Sequence, residues 1–378
     1  MPIYPIQQEV LSYLEQHRER FLCAVRELAQ IPAPSNHEEL RAQWCKQHLE
    51  SLGATGVFID DALNVIFPFH VGEEQTDLCA VLGHTDVVFP DTDPLPFREE
   101  NGRFYAPGIG DDTTNAVAVM EMAAMAIDLN LTPKTGILFV LNSGEEGLGN
   151  LKGVRRLMEE YSGRISRLYA IDGGLDTVVT EAVGSKRWKI TIQTEGGHSF
   201  GAFGNRNAIY YAAKMIDTFY SLKVPDFGKT TYNVGVIEGG TSVNTIAQNC
   251  SMLYEYRSDR REGLQYMDRF FESVVQSFRT FGIEVHTELI GDRPCRGEVD
   301  PFPLTQIVTE SSLKYGQSRI EESGSTDCNI PLSMGIPAVC FGVYDGHGAH
   351  TREEWVDIES THNGMKILAD VLLSEMQF

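Results

Sequence analysis

The sequence predicts an α/β protein in which a sheet-centred domain is interrupted by a smaller βαββαβ domain, and three observations carry that reading. At 378 residues the chain exceeds the size at which one hydrophobic core keeps growing. Apolar, β-rich runs at VFIDDALNVIFPF, LCAVLGH, TGILFVLNSG, SRLYAID and PAVCFGV alternate with helical patterns, as a sheet covered by helices requires. Between about residues 183 and 293 that rhythm gives way to another, and it resumes near Pro301. The first domain, 1–182 with 294–378, is therefore predicted to be discontinuous around an insertion at 183–293.

The elements follow in order. Helical patterns open the chain at roughly 7–30 and 37–52; the IPAP stretch breaks the first, and Ser35 or Asn36 is placed to cap the second ahead of HEEL. Further helices are expected at about 114–129, 151–161, 302–315 and 328–334, and a last one at about 359–376 closes the domain. Within the insertion, KRWKITIQTE reads as a strand, NAIYYAAKMIDTFYSL as a helix, TTYNVGVIEG and CSMLYEYRS as strands, REGLQYMDRFFESVVQSFRTFG as a helix and IEVHTELI as a strand. That order is the split βαβ arrangement of ferredoxin-like domains.

Composition narrows the function. The balance of 31 Lys+Arg against 53 Asp+Glu, a net charge of −22, opposes binding to nucleic acid or to an anionic membrane surface, and no basic patch offsets it. No stretch approaches the ~20 continuous apolar residues of a membrane span, and MPIYPIQQEV lacks the pattern of a signal peptide, so a cytoplasmic location is expected. The 7 cysteines are scattered and never CxxC. Neither a disulfide framework nor a thiolate zinc cage is indicated, and any metal must be held by His and carboxylate.

Such residues recur where sheet strands end. LCAVLGH runs into His84 and Asp86, LFVLNSGEE into Glu145 and Glu146, LYAIDGG into Asp172, and VCFGVYDGHGAH into His347 and His350. Asp111 and Asp112 open a predicted helix. Singly each has an ordinary reading: a turn histidine, a helix cap, a solvated Glu pair, an Asp-Gly-Gly turn. Their recurrence at the carboxyl ends of strands, where α/β sheets gather ligands, favours one shared site. Imidazole with carboxylate suits zinc and related ions, and the set exceeds what one tetrahedral ion can use, so two metals are expected.

In order along the chain, GHTDVV, GIGDDTT, NSGEEG, AIDGG, GGHSFG, GGTSVN, STDCNIP and GAHTREEW resemble the co-catalytic zinc peptidases and amidohydrolases that include peptidase T, carboxypeptidase G, aminoacylase and acetylornithine deacetylase. The resemblance implies a zinc-exopeptidase-like αβα catalytic domain with a lid and dimerisation insertion. It implies two divalent ions, zinc foremost: His84 and Asp172 on one, Glu146 and His350 on the other, and Asp111 bridging both ahead of a cis peptide. His347 is the runner-up to His350, which is preferred because the acidic stretch REEW follows it. Asp86, two residues along from His84, would orient its imidazole. Glu145 would act as general base toward a metal-activated water and hand the proton to the departing amine.

One departure stands out: where the family commonly has Lys and Gly after the paired aspartates, this chain has Thr113, Thr114 and Asn115. The resemblance further implies that His198 hydrogen-bonds the tetrahedral intermediate, often across a dimer, and that Asn244 and Arg257 bind the substrate's carboxylate or backbone. Read as residues alone, His198 is a loop histidine and Arg257 a partner for Asp259. GSTD at 324–327 is expected to line the cleft, with Ser325 either binding substrate or capping the helix that follows. Closure over the ligand excludes long polypeptides. The expected function is thus a homodimeric di- or tripeptide exopeptidase, with a deacylase of N-acyl or N-carbamoyl amino acids as the alternative. A binding protein that kept the fold would be expected to have lost a ligand or the base, and none is lost.

Overall fold

A computed structural model describes residues 5–224 and 226–377. It falls into two compact units, residues 1–181 with 297–378, and residues 182–296.

An eight-stranded sheet organises the larger unit. From one edge its order is Phe58–Ile59, Val65–Phe69, Ile137–Asn142, Leu78–His84, Ile165–Ile171, Ala338–Phe341, Thr177–Ala182 and Ile320–Gly324. The four central strands run parallel. Every residue of Leu78–His84, Ile137–Asn142 and Ala338–Phe341 is buried, the pattern of strands covered on both faces, and their carboxyl ends share one edge. Asn115–Asp128 is apolar on nearly all sides and buries every residue from Asn115 to Ala126. It lies close to the sheet: a Cβ at Gly83 would come within 3.0 Å of the Ala116 Cα, so this strand position suits glycine.

Several local expectations change. The pattern over 7–30 forms two helices, Pro5–Gln16 and Arg18–Ala29, broken at His17. Neither Ser35 nor Asn36 caps the next helix, Glu39–Ser51; its N-cap is Glu38, and the Ser35 hydroxyl instead donates to Asp86 Oδ2 at 2.6 Å. The run VFIDDALNVIFPF is split by a turn into an antiparallel pair. A small second sheet of Gly346–His347, Trp355–Asp357, Arg103–Tyr105 and Arg98–Glu100 has strands too short to carry a periodic signal.

The insertion is a β-rich unit with its own core. Its sheet order is Thr230–Gly239, Asn249–Ser258, Gly184–Gln193, Glu284–Arg293, antiparallel throughout. Helices Ala208–Tyr220 and Arg261–Thr280 pack on it through Met215, Phe219 and Phe271, with Phe219 stacked on Tyr254 at 4.2 Å between ring centres. No described helix is long and apolar enough to cross a membrane.

Candidate metal centre

His84 ends its strand buried, and two segments meet its imidazole. Nε2 lies 3.0 Å from Asp111 Oδ1. Nδ1 faces the Asp86 carbonyl at 3.1 Å, with the Asp86 carboxylate at 3.4 Å. That carboxylate does more elsewhere: Oδ1 accepts the Glu145 N–H at 2.9 Å and Oδ2 the Glu146 N–H at 3.0 Å. Asp86 therefore holds the Glu145–Glu146 dipeptide through its backbone, leaving both glutamate side chains unconstrained by that contact.

Asp111 stands between two histidines. Its Oδ2 is 3.1 Å from His350 Nε2, which also lies 3.2 Å from Glu146 Oε1. The Asp111–Asp112 peptide is cis. Asp112 turns into the protein, its Oδ2 accepting the His84 N–H at 2.9 Å and its Oδ1 the Asn115 side-chain amide at 2.7 Å. Candidate ligand atoms cluster in three sets, His84 with Asp112 and Asp172, His84 with Glu145 and Glu146, and Asp111 with Glu146 and His350, each within 4.8 Å. His347 belongs to none of these; it is exposed and pairs with Trp355.

The replaced motif residues all have partners. Thr113 Oγ1 accepts from the buried Arg41 guanidinium, Thr114 donates to the Ile109 carbonyl, and Asn115 binds Asp112, the Gly173 carbonyl and the Val343 N–H. Arg41 also donates to the Thr85 carbonyl, so a guanidinium from a distant helix stands beside the loop that follows the aspartates. Two further residues of this region, Asp327 of the GSTD stretch and Glu354 of REEW, have partners that the sequence does not indicate. Asp327 is buried against Asn142 at 2.6 Å, and Glu354 accepts three backbone N–H groups of the loop 108–111.

In the insertion, His198 sits on an exposed two-residue strand, its Nδ1 accepting from Phe200 and Gly201 N–H. It pairs with Thr245, beside Asn244, whose Oδ1 accepts from Ser242. Arg257 is bound to Glu255 rather than Asp259, at 2.8 and 3.0 Å, and Arg187 shares that carboxylate at 2.8 Å. Ser325 lies half-buried ahead of helix Asn329–Ser333, which takes Cys328 as its N-cap.

The donor set fits divalent cations of the zinc, manganese or cobalt kind: imidazole and carboxylate with no thiolate. The protein's own electrostatics supports the fit. Burial pushes Glu146 up to about 8, and burial with the Asp111 charge pushes Asp172 up to about 7. Hydrogen bonds to Asp111 and Glu146 raise His350 to about 10. Burial opposes ionisation of Asp111 too, yet its two histidine contacts hold it below the usual carboxylate range. Without cations, the site keeps protons where ions would place positive charge.

The sign of the pH dependence follows. Glu146, Asp172 and His350 have folded-state values raised above 4.5, 3.8 and 6.5, so their contribution to stability is complete at low pH and is lost as pH rises through about 7 to 10. The chelator-treated protein should melt at a higher temperature at pH 6 than at pH 9, and saturating zinc should flatten that slope by replacing the protons. Thermal denaturation with and without chelator measures it; a metal-free protein more stable at pH 9 counts against this electrostatic picture.

Similar proteins span most of this chain. The chain is 26% identical to the acetylornithine deacetylase of Myxococcus xanthus over 77% of its own length and 78% of that protein. It is also 26% identical to the succinyl-diaminopimelate desuccinylase of Corynebacterium glutamicum, covering 91% and 94%. A tripeptidase from Staphylococcus aureus superposes with a TM-score of 0.75 at 24% identity, over 94% of this chain and 97% of that one, which shows a common fold. The model of peptidase family M20/M25/M40 matches residues 80–374, from the strand bearing His84 to the last helix, and the chain belongs to that family.

Proposed function

We propose that the protein is a di-metal hydrolase that cleaves the amide bond of a small peptide. The observation that carries this reading is Asp111, whose two carboxylate oxygens face His84 and His350 at 3.0 and 3.1 Å beside the clamped Glu145–Glu146 pair. His84 and Asp172 would hold one ion, Glu146 and His350 the other, with Asp111 shared. Two divalent ions held there, zinc foremost, would supply Lewis acidity toward the scissile carbonyl and the attacking water.

The rest is done by side chains. Glu145, whose carboxylate groups with His84 and Glu146 but which this reading does not assign to an ion, takes the proton of the attacking water and delivers it to the leaving nitrogen. Asp86 keeps the two glutamates in register by gripping their N–H groups. The same reading gives His198 to the tetrahedral intermediate and Asn244, Arg257 and Ser325 to substrate binding, the Arg257 guanidinium being suited to a carboxylate. It makes the insertion a ferredoxin-like domain, on its 4-1-3-2 strand order, and the protein a cytoplasmic homodimer, its exposed edge strand Thr230–Gly239 offering unpaired backbone groups.

A second reading, a deacylase of N-acyl amino acids, is favoured by the two curated relatives, a deacetylase and a desuccinylase. A panel of di- and tripeptides against N-acetyl, N-succinyl and N-carbamoyl amino acids, with zinc, manganese or cobalt, separates the two. Turnover confined to peptides is expected; turnover confined to acylated amino acids selects the deacylase, and no amide hydrolysis with any metal sinks both. Sedimentation of the same preparations should show a dimer.

A further inference from the structure

The loop Gly108–Asp111 and the segment after His350 are joined by one carboxylate. Glu354 is 2% exposed, and both of its oxygens are committed: Oε2 accepts the Gly108 N–H at 2.8 Å, and Oε1 accepts those of Gly110 at 2.9 Å and Asp111 at 2.8 Å. Pairing of Trp355–Asp357 with Arg103–Tyr105 explains the meeting. It sets Trp355 against Tyr105, so the residue before one strand faces the chain leaving the other. The loop is shaped for the acceptor. Gly108 has φ of +72°, and a Cβ at Gly110 would run into the Tyr344 ring.

The choice of an acid here needs a reason. Asp111 is close enough that, after burial, its charge is the next largest influence raising Glu354, to about 7. A glutamine would fit the same space and relieve that repulsion. It would, however, offer one acceptor oxygen to a cradle of three N–H donors and turn an NH2 group against the others. Only a carboxylate satisfies the whole cradle.

We propose that Glu354 is a positioning residue of the metal centre: by gripping the Gly108–Asp111 backbone from four residues beyond His350, it sets the Asp111 carboxylate between the two histidines. The inference rests on the di-metal reading and adds to it a residue that binds no ion. A buried acid that merely packed would tolerate Glu354→Gln, whereas a positioning acid would not.

The test is metal binding by chelator-stripped protein titrated with zinc and with cobalt, read by calorimetry and by retained metal after gel filtration. Glu354→Gln is expected to fold, by circular dichroism, and to bind the second equivalent about 10–100-fold more weakly, the range for lost outer partners of ligands. Its kcat should fall while KM stays within about twofold, and excess metal should recover part of the rate. Glu354→Asp, one methylene short of the cradle but still charged, should fold and give an intermediate affinity. Two ions bound with wild-type affinity by Glu354→Gln overturn the proposal; should that variant not fold, wild-type affinity in Glu354→Asp does so. Wild-type protein that binds no divalent ion sinks the di-metal reading instead, so the two failures are distinguishable.

Discussion

Glu145→Ala is expected to bind the same two equivalents of metal as the wild type while losing about 10²–10⁴-fold or more in kcat, the range attached to a positioned general base. The retention of metal is the informative half. Asp86 holds this dipeptide through the N–H groups of Glu145 and Glu146, so trimming the first side chain leaves the clamp, and with it the second, in place. His350 likewise contacts Glu146 and Asp111. Glu145→Gln is the stricter comparison, because it preserves size while removing basicity. Both variants should be equally slow, and neither should recover on raising pH, since no group remains to accept the proton. Substantial turnover by either one, with metal bound, removes Glu145 from the mechanism.

How much of the site is legible in the sequence depends on how far apart the interacting residues lie in pattern as well as in sequence. A parallel sheet collects strand ends at one edge, so polar residues terminating buried apolar runs mark a site even when their partners are unknown; His84, Glu145, Glu146 and Asp172 were legible for that reason. Glu354 was not, because it accepts backbone N–H groups far away in sequence, that of Gly110 lying 244 residues off, and backbone donors leave no trace in side-chain identity. Asp86 was understood only in part for the same reason: HxD spacing suggests an oriented imidazole, whereas most of its hydrogen bonds go to the GEE turn. Thr113, Thr114 and Asn115 looked like losses against the family pattern. In the fold they are buried and bonded, Thr113 to Arg41 on another helix. Arg257 finds Glu255 two positions along its strand, on the same face, rather than Asp259, equally two positions away but beyond the strand's end. The uninterrupted periodicity over 7–30 concealed the break at His17, since a one-residue change of direction barely disturbs an apolar stripe.

Asp111→Asn should have the widest consequence of any single change at the centre. Its two oxygens reach toward His84 on one side and His350 on the other, so the loss of one negative charge and one acceptor is felt by both proposed ions at once. Substitution of Asp172 or of His350 should weaken one ion more than the other. The asparagine is nearly isosteric and Glu354 would still hold its backbone, which separates charge from position: the loop stays, the bridge goes. Affinity for both equivalents should drop beyond the roughly 10–100-fold expected for an outer partner, and activity should not return at metal concentrations that rescue Glu354→Gln. The metal-free variant should also lose part of the stability that His84 and His350 draw from facing an ionised Asp111, seen as a lower melting temperature in chelator near neutral pH, where those histidines remain protonated. An Asp111→Asn protein that kept both ions at wild-type affinity would show that the histidines sit at separate sites with nothing shared between them, and the paired-ion account of this chain would have to be abandoned.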